Sequence, residues 1–511
     1  MNKVPLREKL GYGVGAVGLD LSYGMFYSYL SLYLTNGLGI KPLFLLILAP
    51  LARLWDGIND PMMGMIVDKT HTKMGKYRPW ILTGALLNAV VLCLLFNNPG
   101  FAAGSIGLYI YVAVLYVFWG MTNTLADIPF WSMIPSFATE EKDRNLVSTI
   151  ARTFSGLGQG IIVIFTAYAV AFFGGATGSK LDSMDSACLT AGFGKWSMVT
   201  AAALVFFAVI CVVSTKERKV VVNNDKFSFK QAIGVIKQND QLLVFMLFAM
   251  ISNAGFYMTS GISSYYFTCV AGNLKLQSTF NMFGTVGSVL SLLIIPVCSK
   301  FMSNRSTYRL SLLMAAAGYT GMAIVGYIFG GNVYALGAFY FLTSVGTGSM
   351  FVNQTVMLAD VVDYGEYKLG KRNQALTFSM KGFLQKMAYT MQSIIMYAAF
   401  SMTGYDGSAA VQTAEANNAI SFLMFIVPPV MIIVSLIVFL KKYRIHGEFK
   451  AEVLKAVGGE KITAVLLGSG VRALAQELFD RGADEVILAE DAALEEYSAR
   501  PYQAAFTQLA Q

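Results

Sequence analysis

Charge is scarce in this chain. Asp, Glu, Lys and Arg make up 13% of its 511 residues, about half of what soluble domains carry, which excludes water as the main solvent. Histidine (2) and cysteine (5) are sparse too. Cys93, Cys188, Cys211, Cys269 and Cys298 are scattered, with no C-x-x-C pair and no neighbouring histidine. That pattern gives no support to a thiolate metal centre or a disulfide framework. No nucleophile, base and third group cluster, so an enzyme is not expected. Nor do segments of about ten residues alternate apolar with polar, as the strands of a membrane barrel would.

What the chain does have is apolar residue: 55% of the total, with a mean hydropathy of +0.56. A helix needs roughly 20 such residues to cross a bilayer. Twelve spans of that kind fall near 10–35, 43–67, 79–97, 104–134, 147–174, 193–214, 241–268, 274–302, 307–330, 333–361, 374–403 and 417–440. The first contains Asp20 and no small-residue cleavage site, so it reads as a membrane helix rather than a signal peptide. Every second loop is basic, with Lys69, Lys73, Lys76 and Arg78 in one and Lys216, Arg218 and Lys219 in another, while the loops between them are poor in Lys and Arg. This asymmetry places both termini in the cytoplasm of a multi-pass cell-membrane protein. It also accounts for the formal charge of +8 without nucleic acid as a partner. The lipid bilayer is the expected surrounding.

The stretch 215–240 is the longest charged interruption. It divides the membrane part into six-helix bundles at 1–214 and 241–445, a layout found in carriers whose halves rock about a central site. Forty-eight glycines let such helices approach closely. A tail at 446–511 reads as a cytoplasmic α/β-like fragment: strand Ile462 to Leu467, a Gly468-Ser469-Gly470 turn, helix Val471 to Asp480 and strand Glu485 to Ala489.

Ionisable groups within the spans each need a reason, since insertion of one costs about 2.5–3.5 kcal/mol. They are Asp20, Arg53, Asp56, Asp60, Asp127, Arg152 and Lys386. Asp56 and Asp60 are four apart and share a helix face with Asn59 beside them. Two such carboxylates either converge on a cation or proton, or pair structurally with Arg53 and Lys386. Asn123, Asp127 and Trp131 follow at four-residue spacing, with Thr124 next to the first. A carboxylate accepts hydrogen bonds from sugar hydroxyls, and an indole offers a flat apolar face to a pyranose or packs in a core. Arg152 and Lys386 need either a carboxylate neighbour or an anionic solute, and Lys381 is a weaker candidate of the same kind. The loop holding Asp68, Lys73, Lys76 and Arg78 reads as a conformational latch or as a plain basic anchor.

The motifs W-D-G-I-N-D-P-M-M-G (Trp55 to Gly64), G-K-Y-R-P-W (Gly75 to Trp80), D-I-P-F-W-S and D-V-V-D-Y-G-E-Y-K closely resemble those of the glycoside-pentoside-hexuronide:cation symporters. The resemblance implies an all-α major facilitator fold, a bacterial source, and symport of a sugar with Na⁺ or H⁺ and no other cofactor. It places Asp56, Asn59, Asp60 and Thr124 at the cation site, with Asp56 and Asp60 as metal ligands if the ion is Na⁺. It places Asp20, Tyr27, Asp127, Trp131 and Arg152 at the sugar site, and Lys386 between the two. Leu19 and Asn123 stand where melibiose-carrying members have a lysine and a tyrosine, which weighs against galactosides. Residues Ile462 to Asp491 resemble the opening of the electron-transfer flavoprotein α subunit. No flavin is expected there; an accessory or partner-binding module, or a relic of gene fusion, is. A transporter-like solute sensor signalling through this tail is the alternative function.

Overall fold

In a computed structural model, residues 4–70, 72–138, 141–175, 185–218, 234, 238–328, 330–370, 374–409, 411–457, 463–467 and 485–489 are described. The first half comprises α1 (Leu6–Leu32), α2 (Pro42–Asp68), α3 (Arg78–Leu95), α4 (Ile106–Phe137), α5 (Glu141–Phe173) and α6 (Ser186–Ser214). The second comprises α7 (Asp240–Tyr265), α8 (Lys275–Phe301), α9 (Asn304–Ile328), α10 (Val333–Leu369), α11 (Gln374–Met402) and a final span in two pieces, α12 (Ala414–Phe425) and α13 (Val427–Lys442). The last span was expected to be continuous. It breaks at Ile426 because Pro428 and Pro429 cannot donate backbone hydrogen bonds to the preceding turn and so begin a new helix.

Among the described residues nine helices are long and apolar enough to cross a membrane. The other three of spanning length, α1, α8 and α11, carry polar residues at depth, including Asp20, Asn281, Lys381 and Lys386. A helix that lines a polar cavity gives up part of its apolar surface, and α1 and α11 supply the site described below.

The chain divides into two compact units, one of Met1–Val362 with Asn373–Tyr443 and one of Asp363–Arg372 with Arg444–Gln511. In the first unit α1 packs on α5 and α6, and α3 on α4 and α6; in the second half α7 packs on α11 and α13. The halves meet through α2 with α11, α5 with α8 and α1 with α7. Glycine sets the closest approaches. A Cβ on Gly158 of α5 would stand 2.6 Å from the Val17 carbonyl oxygen of α1 and 3.2 Å from Asp20 Cβ. Gly158→Leu is therefore expected to force α1 from α5, costing about 1–3 kcal/mol. A lower thermal-unfolding midpoint in detergent is the readout, and an unchanged midpoint would contradict this packing.

Between described residues, the hydrogen bonds joining the halves lie at mid-depth and towards the end remote from the start of α1. Both α1 and α7 finish there in π-helical turns, Tyr33–Gly37 and Tyr266–Val270, a geometry common at functional positions. Thr35 bonds Tyr265 (3.0 Å), Tyr405 donates to Asn36 (2.7 Å), Ser31 bonds Tyr397 (2.6 Å) and Asn281 donates to the Val163 carbonyl (2.9 Å). These four bonds tie the halves together at this end.

At the opposite end the loop before α3 is tied within its own half. The Glu217 carboxylate accepts the backbone N–H groups of Lys76 (2.7 Å), Tyr77 (2.9 Å) and Arg78 (3.1 Å), satisfying orphan donors at the start of α3. The Arg78 side chain donates to the Val212 carbonyl. These bonds anchor the loop to the chain after α6; the Asp68 side chain lies outside the described residues.

In the second unit α14 (Gly447–Val457) precedes β1 (Thr463–Leu467) and β2 (Glu485–Ala489), which pair in parallel with Thr463 opposite Glu485. Phe449 of α14 packs on Tyr364 and Tyr367, and Tyr367 donates to Glu452. The helix expected at Val471 to Asp480 lies outside the described residues.

Candidate solute and cation site

Two clusters of polar side chains occupy the middle of the first unit. The first is built on α2. Arg53 Nη1 donates to Asp56 Oδ2 at 2.6 Å, and both side chains are only 5% exposed. One turn on, Asp60 is 31% exposed, accepts the Thr124 hydroxyl of α4 at 3.0 Å, and receives the ammonium of Lys386 from α11 in the other half. Lys386 Nζ also stands 4.0 Å from Asp56 Oδ2. Both pairings weighed at the outset as structural are thus present, but they differ. Arg53–Asp56 is sealed, whereas Asp60 and Lys386 face open space and link the halves.

Asn59 lies in the same cluster, and its buried Nδ2 has no hydrogen-bond partner among the described residues. A half-turn of the amide presents Oδ1 instead. Gly120 of α4 makes room for Asp56, since a Cβ there would stand 2.7 Å from Asp56 Oδ1. Among the described residues no group of three or more His, Cys, Asp or Glu converges on a metal position.

The second cluster joins α4, α5 and α1. Asp127 accepts the Trp131 indole N–H at 2.9 Å, and the Arg152 guanidinium stacks 3.8 Å over the same indole. One face of Trp131 is therefore taken by Arg152 rather than left for a pyranose. Asp20 of α1 lies close by, its Cβ within 3.2 Å of where a Cβ on Gly158 of α5 would stand, and within electrostatic reach of Asp127 and Arg152. Pro129, inside α4, cannot donate a backbone hydrogen bond to the Leu125 carbonyl, so the helix is loosened between Asp127 and Trp131.

Tyr27 is not part of this second cluster. It lies seven residues beyond Asp20 on α1, about 10 Å along the helix, in a ladder of rings running across both halves. Its steps are Tyr23–Tyr27 (4.1 Å), Tyr27–Tyr389 (4.3 Å) and Tyr389–Tyr257 (3.6 Å). Arg53 stands 5.0 Å over the Tyr27 ring. A small cavity lined by Tyr27, Ser31, Arg53, Tyr116, Gln392 and Tyr397 adjoins the ladder. Sequence reasoning missed the bridging residues Asn36, Tyr265 and Tyr405. Asn36 carried a faint signal as an amide at the end of an apolar span; the tyrosines carried none, because buried tyrosine is ordinary in so aromatic a chain.

The chain as a whole is similar to known proteins. A family profile described as MFS/sugar transport protein covers residues 11–447, and an electron transfer flavoprotein domain profile covers residues 449–511. The isoprimeverose transporter of Lactiplantibacillus pentosus is 29% identical over 432 residues, 84% of this chain and 86% of that protein. The lactose permease of Lactobacillus delbrueckii subsp. bulgaricus is 25% identical over 474 residues, 88% of this chain and 72% of that protein.

Among solved structures, a bacterial Spinster homologue in an inward-facing, unoccupied conformation superposes with a TM-score of 0.61 at 12% identity, over 89% of this chain and 98% of its own. The xylose transporter XylE from E. coli, partially occluded and inward open, gives 0.56 at 11% identity, over 85% and 97%. The membrane part has the major facilitator fold, and the chain belongs to the MFS/sugar transport protein family. It is a multi-pass membrane transporter, not an enzyme.

Proposed function

We infer that this protein is a secondary active transporter that carries a sugar or glycoside together with Na⁺ or H⁺ by alternating access. The carrying observation is Lys386. Its ammonium, on one half, is held by Asp60 on the other and lies 4.0 Å from Asp56, where a mobile cation would compete with it. When the cation binds, Lys386 is displaced, and an inter-half tie is exchanged for an ion that travels with the solute. The Asp60 and Lys386 side chains are 31% and 25% exposed, so the exchange has access to water. Asn59 and Thr124 add neutral oxygens that a hard cation uses and a proton does not need, which favours Na⁺.

The Asp127, Trp131, Arg152 and Asp20 cluster serves as the solute site in this reading, with Tyr27 acting from the aromatic ladder between the halves rather than as a direct contact. The basic loops support a cytoplasmic position for both termini; in this reading the end where Thr35, Asn36 and Ser31 tie the halves faces outward, as in an inward-facing carrier. For the flavoprotein-like tail a partner-binding role is the reading; no observation favours a sensor.

Uptake of labelled glycosides into proteoliposomes, with an imposed Na⁺ or pH gradient and with neither, tests this directly. Accumulation above equilibrium under one gradient is expected. Flux indifferent to both gradients for every sugar tried would defeat the proposal.

A further inference from the structure

Outside the solute and cation site, α9 and α13 turn apolar stripes out of the bundle. On α9 the exposed residues Leu310, Leu313 and Ile324 lie on one side, and on α13 Ile433, Ile437 and Leu440 do. Spacings of three, four and eleven keep each set on one helix face, the face that meets lipid in a membrane protein. The two helices are neighbours. Tyr308 of α9 packs edge-on against Phe439 of α13 with ring centroids 4.8 Å apart, and Arg305 donates to the Leu440 carbonyl at 3.2 Å. One residue beyond each of these packed rings, the chain comes out to the surface, at Arg309 and at Leu440. The stripes therefore flank a single seam.

Both stripes end in a cation at the level where α9 begins and α13 finishes. Arg309 is exposed. It lies four residues after Arg305, so it shares the face from which Arg305 reaches α13, and four before the exposed Leu313. Lys441, also exposed, follows Leu440 and stands four residues after Ile437. Among the described residues neither Arg309 nor Lys441 has a hydrogen-bond or ion-pair partner. The bias of basic residues towards one side of the membrane accounts for Lys441, at a helix end. It does not account for Arg309, which sits a turn inside an apolar stripe, about 6 Å further along the helix than Arg305.

A guanidinium on a lipid-facing stripe extends towards the headgroup level, where phosphate is the available acceptor. Its planar fork suits two phosphate oxygens, and an ammonium across the seam adds a second charge-assisted bond. A zwitterionic lipid brings its own ammonium to compete for that phosphate. An anionic lipid does not, and basic pockets between membrane helices hold such headgroups. We propose that the seam between α9 and α13 is a binding site for an anionic phospholipid, its phosphate between Arg309 and Lys441 and its acyl chains along Leu313 and Ile437. The site is separate from the solute path and does not depend on the symport reading.

The test titrates the purified full chain, in neutral detergent, with phosphatidylglycerol and with phosphatidylcholine of the same acyl chains, and counts bound lipid by native mass spectrometry. Glycerol 3-phosphate, which has the charge without the chains, is the competitor. Wild type is expected to prefer phosphatidylglycerol roughly 10- to 30-fold, and Arg309→Gln and Lys441→Gln to lose about 5-fold each. Arg309→Lys keeps most of the preference. Lys216→Gln, in a different basic loop, leaves it unchanged, and glycerol 3-phosphate does not displace the lipid.

Equal affinity for the two lipids would overturn the proposal. Displacement by glycerol 3-phosphate would replace the lipid site with one for free phosphate esters. An equal loss in Lys216→Gln would mean that the attraction is diffuse and belongs to no site. Should Arg309→Gln fail to fold, Lys441→Gln decides alone, and an unchanged preference in it removes the site.

Discussion

Asp60→Asn is expected to reduce cation-driven accumulation to the level seen without a gradient, while exchange of solute down its own gradient continues. The substitution keeps shape and an oxygen for the Thr124 hydroxyl, now 3.0 Å away, and removes only the charge. Lys386 then loses the carboxylate that holds it and turns to Asp56, already 4.0 Å distant. A cation arriving at the site meets one carboxylate satisfied by both Arg53 and Lys386, and has little to gain by displacing either. The Asp127 cluster is untouched, so the solute still binds. Gradient-driven uptake and counterflow, measured on the same proteoliposomes, separate the two effects; full accumulation by this variant would refute the cation-site assignment. Asp56→Asn should also uncouple transport, but it strands the buried Arg53 without its partner, at a cost of about 3–5 kcal/mol. Asp60 therefore gives the cleaner experiment.

Much of this arrangement was legible from spacing alone. The four-residue intervals in Asp56–Asp60 and Asp127–Trp131 put each pair on one helix face, and in the structure Asp56 and Asp60 both lie beside Lys386 while Trp131 donates to Asp127. The two strands of the tail fall where apolar runs bounded by glycine and charge predicted them. What stayed hidden depends on distance in space. Nothing in the sequence says that Arg152 would cover Trp131, or that Tyr27 would belong to a ring ladder rather than to the Asp127 cluster, because both follow from which helices neighbour α1 and α5. Lys381 was ranked below Lys386 because five residues turn it away from the same face. That rotation sets it apart from the paired carboxylates and turns its ammonium to the Thr355 hydroxyl of α10. The break at Ile426 was readable from Pro428-Pro429, yet the apolar run on both sides masked it.

Asp127→Asn is the counterpart to Asp60→Asn and should fail in the opposite way. The asparagine oxygen can still accept the Trp131 indole N–H, 2.9 Å from the present carboxylate, so the indole keeps its orientation and Arg152 keeps its stacking surface. What disappears is the anionic acceptor for solute hydroxyls. A hydrogen bond to a charged group is worth about 1.5–3 kcal/mol, so affinity should fall roughly 10- to 100-fold. The cation response of whatever transport remains should be preserved, because the Asp60 and Lys386 pair is intact. Solute titration in the presence and absence of the coupling cation reads both quantities. Unchanged affinity would mean that Asp127 only orients Trp131, and that the solute is held from the α11 side of the cavity. An altered cation response with normal affinity would mean that the two clusters are one site and that solute and cation compete for the same carboxylates.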